Sequence, residues 1–220
     1  MPRILVVVAV DAERAALPAC DASPHVCVEV AGIGRTNAAA ACAARLAEAA
    51  ASGVPFAAVV SVGIAGALPG SGLGPGDVVV ADACTYAEEG IALPEGHADV
   101  RALGFPLGDF EGNRVPVDRG LLASLGHLGR VGTVATVATC SGTDLAAASV
   151  RARTGAVAEA MEGAAVVHAA RRAGIPGIEV RAVSNTTGNR GEQCWDVRAA
   201  LVALGAVDVA IASHAAGLAR

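Results

Sequence analysis

Ile4-Leu5-Val6-Val7-Val8-Ala9-Val10, followed at once by Asp11-Ala12-Glu13, decides the fold. Seven apolar residues run without polar alternation, and most are β-branched. A strand here must be buried on both faces, which places it in a sheet covered by helices on either side.

The same logic extends along the chain. Val26–Val30 reads as a second short strand, ended by Gly32-Ile33-Gly34, and Thr36–Ala51 as an Ala-rich helix. Ala57–Val62 is another buried strand, expected to end in Gly63-Ile64-Ala65-Gly66. Asp77–Asp82 follows the loop Pro69–Gly76, residues 88–117 are expected to form a long surface excursion, and Val131–Val137 is again apolar. Glu162–Ala173 reads as a helix closed by Gly174, with Pro176 beyond. Ile178–Val183 is the next strand, and residues 196–217 form a closing helix with Asp196 as N-cap. Alternating strands and helices mean an α/β sandwich, read as one domain over 1–220. Ligands in such sheets bind beyond the carboxyl ends of strands. That directs attention to residues 9–13, 32–37, 63–66 and 184–190.

Composition excludes several classes. With 54% apolar and 17% charged residues in 220, a large core forms and disorder is excluded. All sixteen basic residues are arginine, the net charge is −5, and no basic run occurs. Nucleic acid, which demands a positive surface, is not an expected partner. Cysteines stand at 20, 27, 42, 84, 140 and 194, without a C-x-x-C pair or a histidine at zinc spacing. Neither a metal site nor a disulfide framework is expected, and most of the six should be small buried hydrophobes. The first apolar run has no cleavage site of a secretion signal. The uncharged interval between Glu48 and Asp77 could span a membrane by length, but Pro55, Pro69 and Pro75 break it. A cytoplasmic protein with no membrane partner is expected.

Four short signals carry chemistry. Gly32-Ile33-Gly34-Arg35-Thr36-Asn37 lacks the third glycine of a dinucleotide turn, so it is either a tight strand-to-helix turn or the border of a small-molecule pocket. In Met161-Glu162-Gly163-Ala164, the acid stands at a strand-to-helix junction. There it answers the helix dipole or accepts hydrogen bonds from a vicinal diol such as a ribose. Arg181-Ala182-Val183-Ser184-Asn185 ends an apolar strand in small polar residues and leads to Arg190 and Trp195. Trp195 either caps a flat heterocycle or anchors the last helix. Asp11 suits an N-cap, whereas Glu13 has no such reason to be acidic and could orient a water.

Together these stretches, with Gly63-Ile64-Ala65-Gly66, resemble the nucleoside phosphorylase and nucleosidase superfamily. Asn185, Arg190 and Trp195 make the chain similar to the futalosine hydrolases within it. The resemblance implies a single-domain three-layer sandwich around a central mixed, twisted sheet, with neither cofactor nor metal. It implies a homo-oligomer, dimer or tetramer, acting on a small purine nucleoside. The reaction would be futalosine plus water giving hypoxanthine and dehypoxanthine futalosine, towards menaquinone. By the same resemblance, Glu13 activates the water, and Glu162 binds the ribose hydroxyls with Met161 against the sugar. Ala65 and Gly66 line the ribose, while Ser184 and Asn185 face the base. Asn185 stands where adenine-releasing relatives carry an Asp that protonates purine N7. Arg190 is the candidate for the substrate benzoate. A strand near Thr139–Ser141 is expected to offer backbone groups to the base. Tyr86, Phe105 and Phe110 are the candidate aromatics to be lent across an interface. Glu162→Ala is expected to remove activity at nearly unchanged melting temperature. Three alternatives stay open: an adenine-releasing nucleosidase (for methylthioadenosine, S-adenosylhomocysteine or aminodeoxyfutalosine), a purine nucleoside phosphorylase using Arg35, and a non-catalytic nucleoside-binding module.

Overall fold

The computed structural model describes residues 3–218. In chain order the elements are β1 (Ile4–Val8), α1 (Asp11–Ala15), α2 (Pro18–Ala22), β2 (Val26–Val30), α3 (Arg35–Ala51), β3 (Ala58–Ala67) and β4 (Val78–Tyr86). They continue with β5 (Gly90–Leu93), β6 (Gly96–Asp99), β7 (Arg114–Pro116), α4 (Arg119–Leu125), β8 (Arg130–Thr136) and α5 (Asp144–Thr154). The last are β9 (Ala158–Ala160), α6 (Gly163–Arg172), β10 (Gly177–Thr186) and α7 (Val197–Leu218).

Eight strands form one mixed sheet in the order β10-β4-β8-β9-β3-β1-β2, with β7 on β4. The path closes on itself, because β10 pairs parallel with β3 as well as antiparallel with β4. Five strands thus make a ring, and β1 and β2 extend it as a flap. The sandwich expectation holds with that refinement. In β1, Ile4, Val6 and Val8 pack into one cluster with Leu204, Val207 and Ile211 of α7. Leu5 and Val7 pack into another with Ala38, Cys42 and Leu46 of α3 and with Val166 and Ala170 of α6. Both faces are covered, which is why the strand shows no alternation.

Several boundaries differ from the sequence reading. β3 does not end at Val62 but runs through Gly63-Ile64-Ala65-Gly66 to Ala67. The glycines are there for room: a Cβ on Gly63 would overlap the Glu13 carboxylate and press on the Arg181 guanidinium. β4 likewise runs on to Tyr86. The 88–117 excursion contains the hairpin β5–β6 and returns to the main sheet as β7. Thr139–Ser141 is a loop after β8, not a strand. Of the cysteines only Cys20, Cys42 and Cys84 are buried, while Cys140 and Cys194 are exposed; none is paired. Asp196 caps α7 as expected, accepting from the Ala199 N–H at 2.8 Å.

α7 is long and apolar enough to cross a membrane. Its Ala200, Leu204, Val207, Ile211 and Ala215 are nevertheless buried against the core. Asp208, also buried, accepts from the Ala19 and Cys20 N–H groups at 2.8 and 2.7 Å, closing the start of α2. It is a layer helix of this fold.

Candidate active site

β3, β9, β10 and the turn before α3 converge at one end of the ring. Their centre is Arg181, only 1% exposed. A guanidinium without water needs carboxylates. Glu179, two residues earlier on β10, supplies one at 2.7 Å, and Glu162 a second at 3.2 Å. Ser61 Oγ accepts from Nη2 at 3.2 Å. Burial alone would lower the proton affinity of Arg181, but Glu179, Glu162 and Glu13 outweigh it and raise it. The guanidinium fits because Arg181 stands opposite Gly63 in the β10–β3 register.

Glu13 is buried on α1, beside the end of β1. Its Oε2 accepts from the Ala9 N–H at 2.8 Å and the Val10 N–H at 3.3 Å, and its Oε1 from the Ile64 N–H at 2.9 Å. This corrects the sequence reading. Val10 is the N-cap, Asp11 is exposed, and Glu13 does have a local structural reason to be acidic, because it reaches back to cap the helix. Glu162 occupies the N-cap position of α6 but makes no side-chain cap there. Its Oε1 instead accepts from the Gly34 N–H at 2.9 Å, with Met161 N–H 3.3 Å from Oε2. Gly32 and Gly34 have φ of +91° and +92°, so the Gly-Ile-Gly segment is both a tight turn and a wall of the site. Met161, partly buried, packs against the small cluster of Leu68, Ala87, Ala135 and Val137.

Next to this acidic centre lies a cavity of about 340 Å³, lined by Gly66, Ser141, Glu159, Asn185, Arg190 and Trp195 among others. The β10–β3 register slips between Val183 and Asn185, so Ser184 is the extra residue of a bulge. The Ser184 hydroxyl donates to Asn185 Oδ1 at 2.9 Å, with the Ala65 carbonyl at 3.2 Å as a second acceptor. Asn185 Nδ2 donates to the Thr186 carbonyl at 2.9 Å. One lone pair of the amide carbonyl is therefore engaged, and the second N–H is left to donate. Arg190 and Trp195 form the rim: the guanidinium stacks 4.5 Å over the indole, and both donate to Gln193 Oε1. Trp195, 46% exposed, also bridges backbone to Asn185, so it anchors the chain entering α7 while bordering the cavity.

Glu13, Ala65, Gly66, Met161, Glu162, Ser184 and Asn185 are brought to this end of the ring, with Arg190 and Trp195 at its edge. Tyr86 and Phe110 instead flank His168, and Phe105 is exposed. Arg35 pairs with Glu88 at 3.2 Å and Glu89 at 2.8 Å. Among the described residues no cluster of His, Cys, Asp or Glu is arranged to hold a metal ion. Sequence reasoning missed Glu179, the anchoring role of Arg181, Glu159, the side chain of Ser141, and Gln193. One signal was available: Glu179-Val180-Arg181 puts opposite charges on one face of an otherwise apolar strand.

The phosphorylase superfamily model matches residues 21–213. A futalosine hydrolase of Streptomyces coelicolor is 38% identical over 79% of this chain and 73% of its own. One of Thermus thermophilus is 37% identical over 79% of this chain and 75% of its own. A methylthioadenosine/S-adenosylhomocysteine nucleosidase of Colwellia psychrerythraea, solved with adenine, superposes with a TM-score of 0.76 at 20% identity, over 97% of this chain and 95% of its own. The chain belongs to the phosphorylase superfamily and, within it, to the futalosine hydrolase family.

Proposed function

We propose that this chain is a nucleosidase that hydrolyses the N-ribosidic bond of futalosine, releasing hypoxanthine and dehypoxanthine futalosine, a step towards menaquinone. The observation that carries the reading is the pairing of two environments in one site. A carboxylate-rich centre, Glu13 and Glu162, stands beside a cavity lined by Asn185, whose second amide N–H is left to donate. Breaking C1′–N9 puts positive charge on the sugar and negative charge on the purine. Glu162 would accept from the ribose hydroxyls and, with Glu13, favour the oxocarbenium-like sugar; Glu13 would orient the attacking water. Met161, Ala65 and Gly66 would line the sugar. The Asn185 N–H would meet O6 of a 6-oxopurine, which is an acceptor, whereas the amino group of adenine is a donor. Losing one such preorganised donor costs about 3–4 kcal/mol of barrier.

Arg190 shares the cavity with Asn185, on the base side. The benzoate hangs from the far end of the ribose, so in this reading Arg190 and Trp195 border the purine and the benzoate assignment of Arg190 is withdrawn. A phosphorylase would need a free cation for phosphate, and Arg35 is already held by two carboxylates. The reading takes the enzyme as cytoplasmic, consistent with six unpaired cysteines, and as a homo-oligomer in which exposed Phe105 is the aromatic free to reach a second copy. Purified protein should release hypoxanthine from futalosine without phosphate and leave inosine and aminodeoxyfutalosine essentially intact. Equal cleavage of aminodeoxyfutalosine, phosphate-dependent cleavage of inosine, or binding without turnover would each replace the reading with its corresponding alternative.

A further inference from the structure

Glu159 has no place in the chemistry so far, yet it lines the same cavity as Asn185. The registers put Asn185, Gly66 and Glu159 in one row across β10, β3 and β9. Neighbouring strands lie about 4.8 Å apart, so the two outer residues stand about 10 Å apart at their Cα atoms. The residue between them has no side chain, and a Cβ there would lie 2.8 Å from the Thr187 methyl and 3.2 Å from Asn185 Nδ2. The two polar groups flank Gly66 and the Thr187 methyl on one wall of the cavity, within reach of one edge of a flat ring. Glu159 is buried and held from the loop after β8, with Ser141 N–H donating at 2.7 Å and Ser141 Oγ at 2.6 Å.

An amide can steady a leaving purine but has no proton to give up. We propose, on the reading given above, that Glu159 is the general acid of this reaction and hands its carboxyl proton to N7 of the departing hypoxanthine while Asn185 donates to O6. N7 and O6 lie on the same edge of the base. As C1′–N9 breaks, its electron pair passes to the purine, and the Glu159 proton on N7 makes the departing base neutral. Water forms the new bond to C1′, and the proton it sheds returns through solvent to restore Glu159. The surroundings raise this carboxyl's affinity for a proton. Burial pushes its affinity up, the two Ser141 hydrogen bonds pull it down, Glu88 adds to the rise and Arg153 opposes it. Across the cavity stand the Arg190 guanidinium and the Cys140 thiol.

The test compares two leaving groups. Glu159→Gln should lower kcat on futalosine by about 10²–10⁴-fold, with KM little changed. The wild type should show an alkaline fall in kcat as Glu159 loses its proton, and Glu159→Gln should abolish it. On p-nitrophenyl riboside, whose leaving group needs no proton, variant and wild type should run alike. Equal losses on both substrates, or no loss on futalosine, would overturn the assignment. Ser141→Ala removes one donor to the carboxylate, so it should move the alkaline limb to higher pH, and an unmoved limb would also count against it. Should the wild type ignore futalosine and cleave another nucleoside, the functional reading fails alone, and the same comparison on that nucleoside still decides Glu159.

Discussion

Glu162 holds two positions at once. Its Oε1 is fixed by the Gly34 N–H, and its Oε2 faces Arg181, which is almost without solvent. From the sequence, helix-dipole stabilisation predicts that Glu162→Ala costs stability, whereas ribose binding predicts lost activity at nearly unchanged melting temperature. The buried ion pair changes that expectation. Removing one partner of a buried pair costs about 3–5 kcal/mol, reduced here to about 2–3 because Glu179 stays on Arg181. Glu162→Ala should therefore lower both stability and turnover. Glu162→Gln keeps an acceptor for the Gly34 N–H and should retain more stability while still losing about 10²–10³-fold in kcat/KM. Denaturant titration beside kinetics on futalosine separates the two effects, and full stability in the alanine variant would show that the Arg181 pair contributes nothing. Glu13 and Asn185 stood out as polar residues at the ends of apolar runs, although Glu13 also caps α1 and Asn185 lies within β10. Glu159 was not, because a carboxyl three residues before Glu162 shows its role only when β9 is laid beside Gly66.

Strand starts were readable along most of the chain, since an apolar β-branched run announces itself. Strand ends were less so. Gly63 and Gly66 look like breakers, but within β3 they clear space for Glu13 and Arg181 at the first and for Thr187 and Asn185 at the second. The helices α4 and α5 went unread. α5 follows the Thr143 cap, yet it has only Ala147 and Val150 on its buried side, too little apolar surface to set a period. α7 was readable in extent, but not its tie to α2. Asp208 accepts from two backbone N–H groups almost the whole chain away. Hydrogen bonds to a charged group contribute about 1.5–3 kcal/mol, so Asp208→Ala should lose stability in that range, and Asp208→Asn less. Both should leave KM for futalosine unchanged. A variant as stable as the wild type would show that the α2–α7 tie is not used.

The molecule as a whole also responds to pH through groups outside the site. His168 sits between Tyr86 and Phe110, and burial, then Arg172, lowers its affinity for a proton, with Asp109 pulling the other way. The unfolded chain takes up that proton near pH 6.5 while the folded one declines it. Stability carried by His168 is thus complete above that pH and is lost as pH falls below it. Glu159 acts in the opposite sense: its raised affinity means stability is lost as pH rises above the ordinary carboxylate range. Thermal midpoints measured from pH 7.5 to 5.5 should fall less steeply in His168→Gln than in the wild type. Identical slopes would remove His168 from the account. The sandwich was legible from alternation alone, whereas closure of the sheet was not. No local pattern says that β10 will pair on both of its edges.

That closure has a consequence for synthesis. β3 and β10 meet across more than a hundred intervening residues, and the groups that hold the nucleoside in our reading come from stretches equally far apart in sequence. A ribosome-bound fragment lacking β10 has an open barrel wall and no Arg181 for its acids to grip, so in our reading catalytic competence arrives in one step, only once β10 has been made, with contact closure between distant segments setting its pace.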